Sequence, residues 1–209
     1  MRSKLDIASW NRKEHYEFFG GFNEPFFGIT THVDFTLAYQ KIQDLGYSYF
    51  LYYLHKSISA ANTVAPFRYR IDDNELFVYD SIHASPTVGR EDHTFGFSFM
   101  EFDEDYEVFE KNAQKDIARV QQSTGLSFSP EAKRLDTIHY SSIPWYNFTS
   151  IAHARHFDMV DSIPKISFGK YTKENGKISL PTSVHVNHAL MDGYHVGQYL
   201  EEFQRLLNQ

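Results

Sequence analysis

The sequence contains no cysteine. A disulfide framework, a thiolate zinc site, an iron–sulfur cluster and a cysteine nucleophile are all excluded, so any acyl or redox chemistry rests on other groups. Also lacking is an uncharged apolar run near the roughly 18 residues of a membrane-spanning helix. The best stretch, Tyr47 to Leu54, stops at His55 and Lys56. Basic residues open the chain, but Asp6 and Trp10 interrupt it before an apolar segment forms; no signal peptide is read, and the expected location is the cytoplasm. The sequon Asn147-Phe148-Thr149 then reads as chance. Positive charge is in deficit as well, with 20 Lys and Arg against 27 Asp and Glu, a net of −7. That balance speaks against nucleic acid as a partner, which needs a basic footprint. Glycine and proline number only 11 and 7 and, apart from Gly20-Gly21, stand singly. With no repeat, linker or low-complexity tract, one domain over residues 1–209 is expected.

What the chain has in excess is aromatic and imidazole side chains: 19 Phe, 14 Tyr and 11 His. At 42% hydrophobic and 22% charged residues it has a globular composition. Periodicity predicts a short amphipathic helix over Trp10–Phe19, then an aromatic loop from Gly20 to Phe27 broken by glycine and proline. A strand at Ile29–Val33 leads to a helix capped by Asp34, carrying Leu37, Ile42 and Leu45 and ending at Gly46. Tyr47–Ala61 is apolar nearly all round and reads as a buried helix. Phe67–Ile71 and Leu76–Tyr79 flank a turn, and Phe102–Val120 reads as a helix with an acidic start. Strands follow at Asp136–Ser141, Lys165–Tyr171 and Ile178–Asn187, with Asn175-Gly176 as a hairpin turn. A last helix repeats Val196, Tyr199, Leu200, Phe203, Leu206 and Leu207 at spacings of 3, 4 and 7. This order is not strict βαβ alternation. It predicts an α/β chain of α+β type, a two-layer mixed sheet with helices packed on it, rather than a Rossmann fold.

Val184 to Gly197 is the most informative stretch. His188 leaves a strand, Asp192 follows four residues later, and Gly193 opens a helix. Two readings stay open on spacing alone: an imidazole presented to a cleft, or a core histidine followed by an ordinary N-cap.

His188 to Gly193 resembles the HxxxDG signature of coenzyme A-dependent acyltransferases. Trp10-Asn11-Arg12-Lys13-Glu14-His15, Asp80-Ser81-Ile82-His83, Ile143-Pro144-Trp145-Tyr146-Asn147-Phe148-Thr149-Ser150 and Gly169-Lys170-Tyr171 fall in the order of one narrower family. The chain resembles the chloramphenicol acetyltransferases over nearly its whole length. That resemblance implies the coenzyme A-dependent acyltransferase fold, acetyl-CoA as co-substrate, chloramphenicol or a similar small hydroxylated acceptor, and a homotrimer with sites between subunits. His188 would be the general base, Ser141 the hydroxyl that steadies the oxyanion, and Asp192 with Arg12 an ion pair holding the histidine turn. Phe19, Phe27, Phe95 and Ser167 fall at acceptor positions. Trp145, Lys170 and Tyr171 fall on the coenzyme side.

The chain departs from the pattern at Asn187, where a histidine is usual, at Ser48, a lysine in some members, and at Asn23 and Pro25, which replace apolar pocket residues. Those last two leave the acceptor open, so a related hydroxyl or thiol compound is the alternative, and a ligand-binding homologue without turnover is a further one. The spacings His153-x-x-His156 and His185-x-x-His188 lack acidic or thiolate partners in a ligand pattern, so no metal is expected.

Overall fold

A computed structural model describes residues 1–156 and 159–209. The first strand, β1 (Arg2–Lys4), joins β3 (Tyr69–Asp72) and β4 (Glu75–Tyr79) in a small antiparallel sheet of order β1-β4-β3. The large sheet holds β2 (Phe26–Asp34), β5 (His83–Gly89), β6 (Phe95–Phe97), β7 (Thr137–Ile143), β8 (Lys165–Gly169) and β10 (Lys177–Asn187) in the order β2-β10-β8-β7-β5-β6. Its seventh strand, β9 (Thr172–Glu174), also pairs with β10. The β7 pairings with β5 and β8 are parallel and the others antiparallel, so the sheet is mixed.

Among the described residues five α-helices accompany these strands: α1 (Lys13–Gly20), α2 (Thr36–Leu45), α3 (Tyr49–Thr63), α4 (Tyr106–Gln121) and α5 (Gly193–Leu207). Strand alternation divides the large sheet into two unlike faces. On one, Ile138, Tyr140, Ile166, Phe168, Val184 and Val186 are buried. Against them α3 lays Tyr53, 4.6 Å from the Phe168 ring, and α5 lays Phe203, 5.9 Å away on the same ring. Three hydroxyls buried in this layer satisfy one another, since Ser57 Oγ lies 2.9 Å from Tyr140 OH and 2.6 Å from Tyr199 OH. The opposite face is polar. Register sets Thr30, Ser183, Ser167 and Ser141 side by side across β2, β10, β8 and β7. One row along lie Gly28, His185, Lys165, His139 and Ser85.

Element boundaries move where local hydrogen bonds outrank periodicity. The first helix begins at Lys13 rather than Trp10, and Phe26 and Phe27 belong to β2 rather than to a loop. Asp34 still accepts the Thr36 backbone N–H at 2.9 Å, although Phe35 holds the cap position of α2. Ser48 caps the buried helix, delaying its start from Tyr47 to Tyr49, and Asp105 delays α4 from Phe102 to Tyr106. Phe67 lies in a 3₁₀ turn, and β8 stops at Gly169, short of Tyr171. The strands β1, β5, β6 and β9 are not anticipated by the sequence, and the Asn175-Gly176 turn joins β9 rather than β8 to β10; β5 carries a proline and small residues, which blur its alternation.

Candidate active site

Where β10 ends, the chain winds into a turn around Asn187, whose carbonyl accepts from Leu190 N at 3.0 Å and Met191 N at 3.2 Å. Asp192 closes this turn and caps α5. Its Oδ1 accepts from Tyr194 N at 3.0 Å, and its own N–H donates to His195 Nδ1 at 3.2 Å, a reciprocal capping box with histidine at the third helical position. Its other oxygen takes Arg12 Nη1 at 2.5 Å, and Arg12 Nη2 donates to the His188 carbonyl at 3.3 Å. Arg12 is only 8% exposed, so it is no surface charge. Burial pushes the Asp192 carboxyl up, but the Arg12 hydrogen bond and the charges of His195 and Arg12 outweigh it and hold that group below the usual carboxylate range.

His188 hangs from this turn, half-buried. Its N–H donates to the Pro25 carbonyl at 2.7 Å, and its Nδ1 lies 3.2 Å from the Met191 carbonyl. A carbonyl only accepts, so Nδ1 carries the proton and the neutral ring keeps its lone pair on Nε2. Phe19 from α1 stacks on the imidazole at 3.9 Å and 12°, and Phe27 from β2 lies 4.6 Å away. Arg12, Phe19, Phe27, His188 and Asp192 therefore form one group.

Ser141, Ser167 and Phe95 form another. A cavity of about 450 Å³ on the polar face of the sheet is lined by Ser141 and Phe95 with His139, His153, Phe97 and Phe128 among its walls. Ser167, fully buried, lies beside it in register with Ser141, its hydroxyl 3.4 Å from His153 Nε2. Alternation separates the two adjacent serines: Ser142 Oγ turns the other way and is bonded to Tyr53 OH at 2.9 Å, whereas the Ser141 hydroxyl has no protein partner among the described residues. The two groups do not meet within one chain. Ser141 aligns through Ser167 with Ser183, two strands away, and His188 lies five residues beyond. At about 4.8 Å per strand and 3.3 Å per residue, roughly 15–20 Å separates them.

Histidines 139 and 153 are wall residues that motif reasoning missed; the alternation of Ile138 and Tyr140 against His139 and Ser141 was the signal that could have found His139. The His139 ring opens into the cavity, yet the packed mass around it pushes its pKa down to about 4, helped by the charge of Lys165. Burial does the same for His153, also to about 4, with His185 contributing. The rings of His153 and His185 do meet, edge to face at 4.9 Å, but as a pair across the two sequence spacings rather than within either. No group of three potential metal ligands is assembled among the described residues. Gly28 makes room for His185, whose ring would lie 2.5 Å from a β-carbon placed there.

Residues assigned to the coenzyme side form a third region. Trp145 is 73% exposed, and Lys170 is exposed with its backbone N–H bonded to Tyr146 O at 2.7 Å. Tyr171 packs against Phe35, Tyr39 and Tyr49 at ring distances of 5.5–6.3 Å. No helix among the described residues is long and apolar enough to cross a membrane.

The family model for chloramphenicol acetyltransferase matches residues 2–204. The chain belongs to the chloramphenicol acetyltransferase family. It is 33% identical over 205 residues to a chloramphenicol acetyltransferase of Clostridium perfringens, covering 97% of this chain and 93% of that one. It is 32% identical over 211 residues to one of Campylobacter coli, covering 99% of each. A solved chloramphenicol acetyltransferase superposes with a TM-score of 0.93 at 27% identity, covering 99% of this chain and 100% of the other. The dihydrolipoamide acetyltransferase of Azotobacter vinelandii shares the fold, with a TM-score of 0.67 at 12% identity over 94% of this chain and 86% of that one. By membership of the chloramphenicol acetyltransferase family, the chain is an acyltransferase.

Proposed function

We propose that the chain transfers the acetyl group of acetyl-CoA directly to a hydroxyl of chloramphenicol or a similar small acceptor, with His188 as general base. The observation that carries this reading is the imidazole whose Nδ1 is committed to the Met191 carbonyl while Nε2 is left basic. Nε2 takes the acceptor's hydroxyl proton as the oxygen attacks the thioester carbonyl. The tetrahedral oxyanion accepts a hydrogen bond from Ser141 Oγ, which has no partner to give up among the described residues. Collapse breaks the carbon–sulfur bond, and the imidazolium returns its proton to the departing thiolate. No acyl-enzyme forms, consistent with a chain that has no cysteine. Arg12 and Asp192 hold the turn; Phe19 and Phe27 flank the base; Phe95 and Ser167 shape the acceptor cavity. Trp145, Lys170 and Tyr171 offer flat rings and one ammonium to the coenzyme's pantetheine, adenine and phosphates. Acetylation would block a hydroxyl the antibiotic needs, which makes the physiological role drug resistance in the cytoplasm.

The separation of His188 from Ser141 supports a site completed by a second copy, and we assign the active form as a homotrimer of one-domain chains with the sites between subunits. Thiol release from acetyl-CoA in the presence of chloramphenicol tests the whole reading. Turnover in the wild type and its loss in His188→Ala are expected; equal rates in both would sink it. A second reading, transfer to another hydroxyl or thiol compound, is favoured by the imidazoles of His139 and His153 on the cavity wall. An acceptor panel decides it, and chloramphenicol winning by a wide margin in kcat/KM would dismiss it. Tight chloramphenicol binding without acetyl transfer would instead mark a ligand-binding homologue.

A further inference from the structure

Asn187, 3% exposed, is the last residue of β10 and the residue around which the histidine turn is wound. Both ends of its carboxamide are used. Oδ1 accepts from Ala189 N at 2.9 Å, inside the turn, and Nδ2 donates to the Asp161 carbonyl at 2.9 Å, in the segment leading into β8. That segment is itself anchored: Asp161 Oδ1 takes the Ile163 N–H at 3.0 Å, and Oδ2 takes Lys165 Nζ at 2.5 Å. The backbone carbonyl of Asn187 also holds the N–H groups of Leu190 and Met191. Four hydrogen bonds at one side chain and one carbonyl thus hold the turn together, one of them reaching Met191 itself. The Met191 carbonyl is the group that bonds His188 Nδ1. The chain of contacts runs from the anchored Asp161 segment through Asn187 to the carbonyl that selects the imidazole tautomer.

We propose that Asn187 is a positioning residue for the reaction: its carboxamide fixes the Met191 carbonyl against His188 Nδ1, so that Nε2 remains the nitrogen that accepts the proton. This rests on the reading of His188 as base. Asn187 touches neither substrate in this assignment and acts only through the turn. A displacement on the order of 1 Å at a reacting group lowers rate by up to about a hundredfold while leaving substrate binding largely intact. The effect therefore falls on kcat and not on KM.

Two variants separate the contributions. Asn187→Ala removes both side-chain bonds; Asn187→Asp keeps the acceptor for Ala189 N and loses the donor to Asp161. Both are expected to lower kcat about ten- to a hundredfold, with KM for acetyl-CoA and chloramphenicol within about twofold of wild type. Nitrogen-15 spectra of the imidazoles, with the His188 signals assigned by their loss in His188→Ala, give a readout that needs no turnover. The wild type is expected in the Nδ1–H form and Asn187→Ala in a mixture of tautomers. An unchanged His188 tautomer in Asn187→Ala overturns the proposal whatever the rates. A lower melting temperature with unchanged kcat per folded enzyme in both variants overturns it too. Should the wild type turn over no acceptor, the assignment of His188 as base fails, while the tautomer spectra still decide for or against the role of Asn187.

Discussion

An imidazole whose Nδ1–H is taken by the Met191 carbonyl has one nitrogen left for a proton, which concentrates the proposed chemistry on a single atom. Replacing His188 by alanine is expected to lower kcat by about 10² to 10⁴, read by thiol release, while the fold persists because the ring is only half-buried. Ser141→Ala is expected to cost about 10² to 10³ in kcat, and Ser142→Ala, on the opposite side of β7, far less. Equal losses in the two serine variants would argue against the oxyanion assignment. At Asp192 the sequence left a cap or an ion pair as alternatives, and the carboxylate is both, one oxygen serving α5 and the other Arg12. No local pattern reveals that, because the partner lies 180 positions away. Since the folded Asp192 pKa lies below the ordinary carboxylate value, its contribution to stability is complete above a pH of about 4 and is lost as pH falls through the folded value. Arg12→Ala should therefore cost about 1–3 kcal/mol near neutrality, less towards pH 3, in melting experiments across that range.

Alternation along a strand is the most economical statement of what each element does. On β7, Ile138 and Tyr140 go to the helices while His139 and Ser141 go to the cavity, and the same division holds for Ile166 and Phe168 against Lys165 and Ser167. The helices and hairpins were legible because their signals are local: apolar spacing for α5, and the Asn175-Gly176 turn, where φ is +51° and +78°. A β-carbon at Gly176 would strain that turn, so Gly176→Ala is expected to lower stability by about 1 kcal/mol, visible as a drop in melting temperature without loss of kcat. The strands β1, β6 and β9 have three residues each, too few for a period to show, and β5 is buried on both faces. The polar face was illegible for a different reason. Its histidine, lysine and serine side chains come from separate strands, and their meeting depends on a register that only the assembled sheet supplies.

Across the whole molecule, family and fold were readable because the motifs at Trp10, Trp145 and His188 are widely spaced along a chain that the family model matches almost end to end. The proposed sharing of the site between subunits rests instead on distance, since His188 and Ser141 stand roughly 15–20 Å apart in one chain. Activity should accordingly fall on dilution in step with dissociation, measured by sedimentation and thiol release on the same samples. The same separation has a genetic corollary. When the two functions reside on different subunits, two inactive alleles can complement one another. Co-expressed His188→Ala and Ser141→Ala chains, each nearly dead alone, would randomly assemble some interfaces that pair an intact histidine with an intact serine. In a ring of like subunits about one site in four would be whole, and resistance would return to cells in which neither allele confers it.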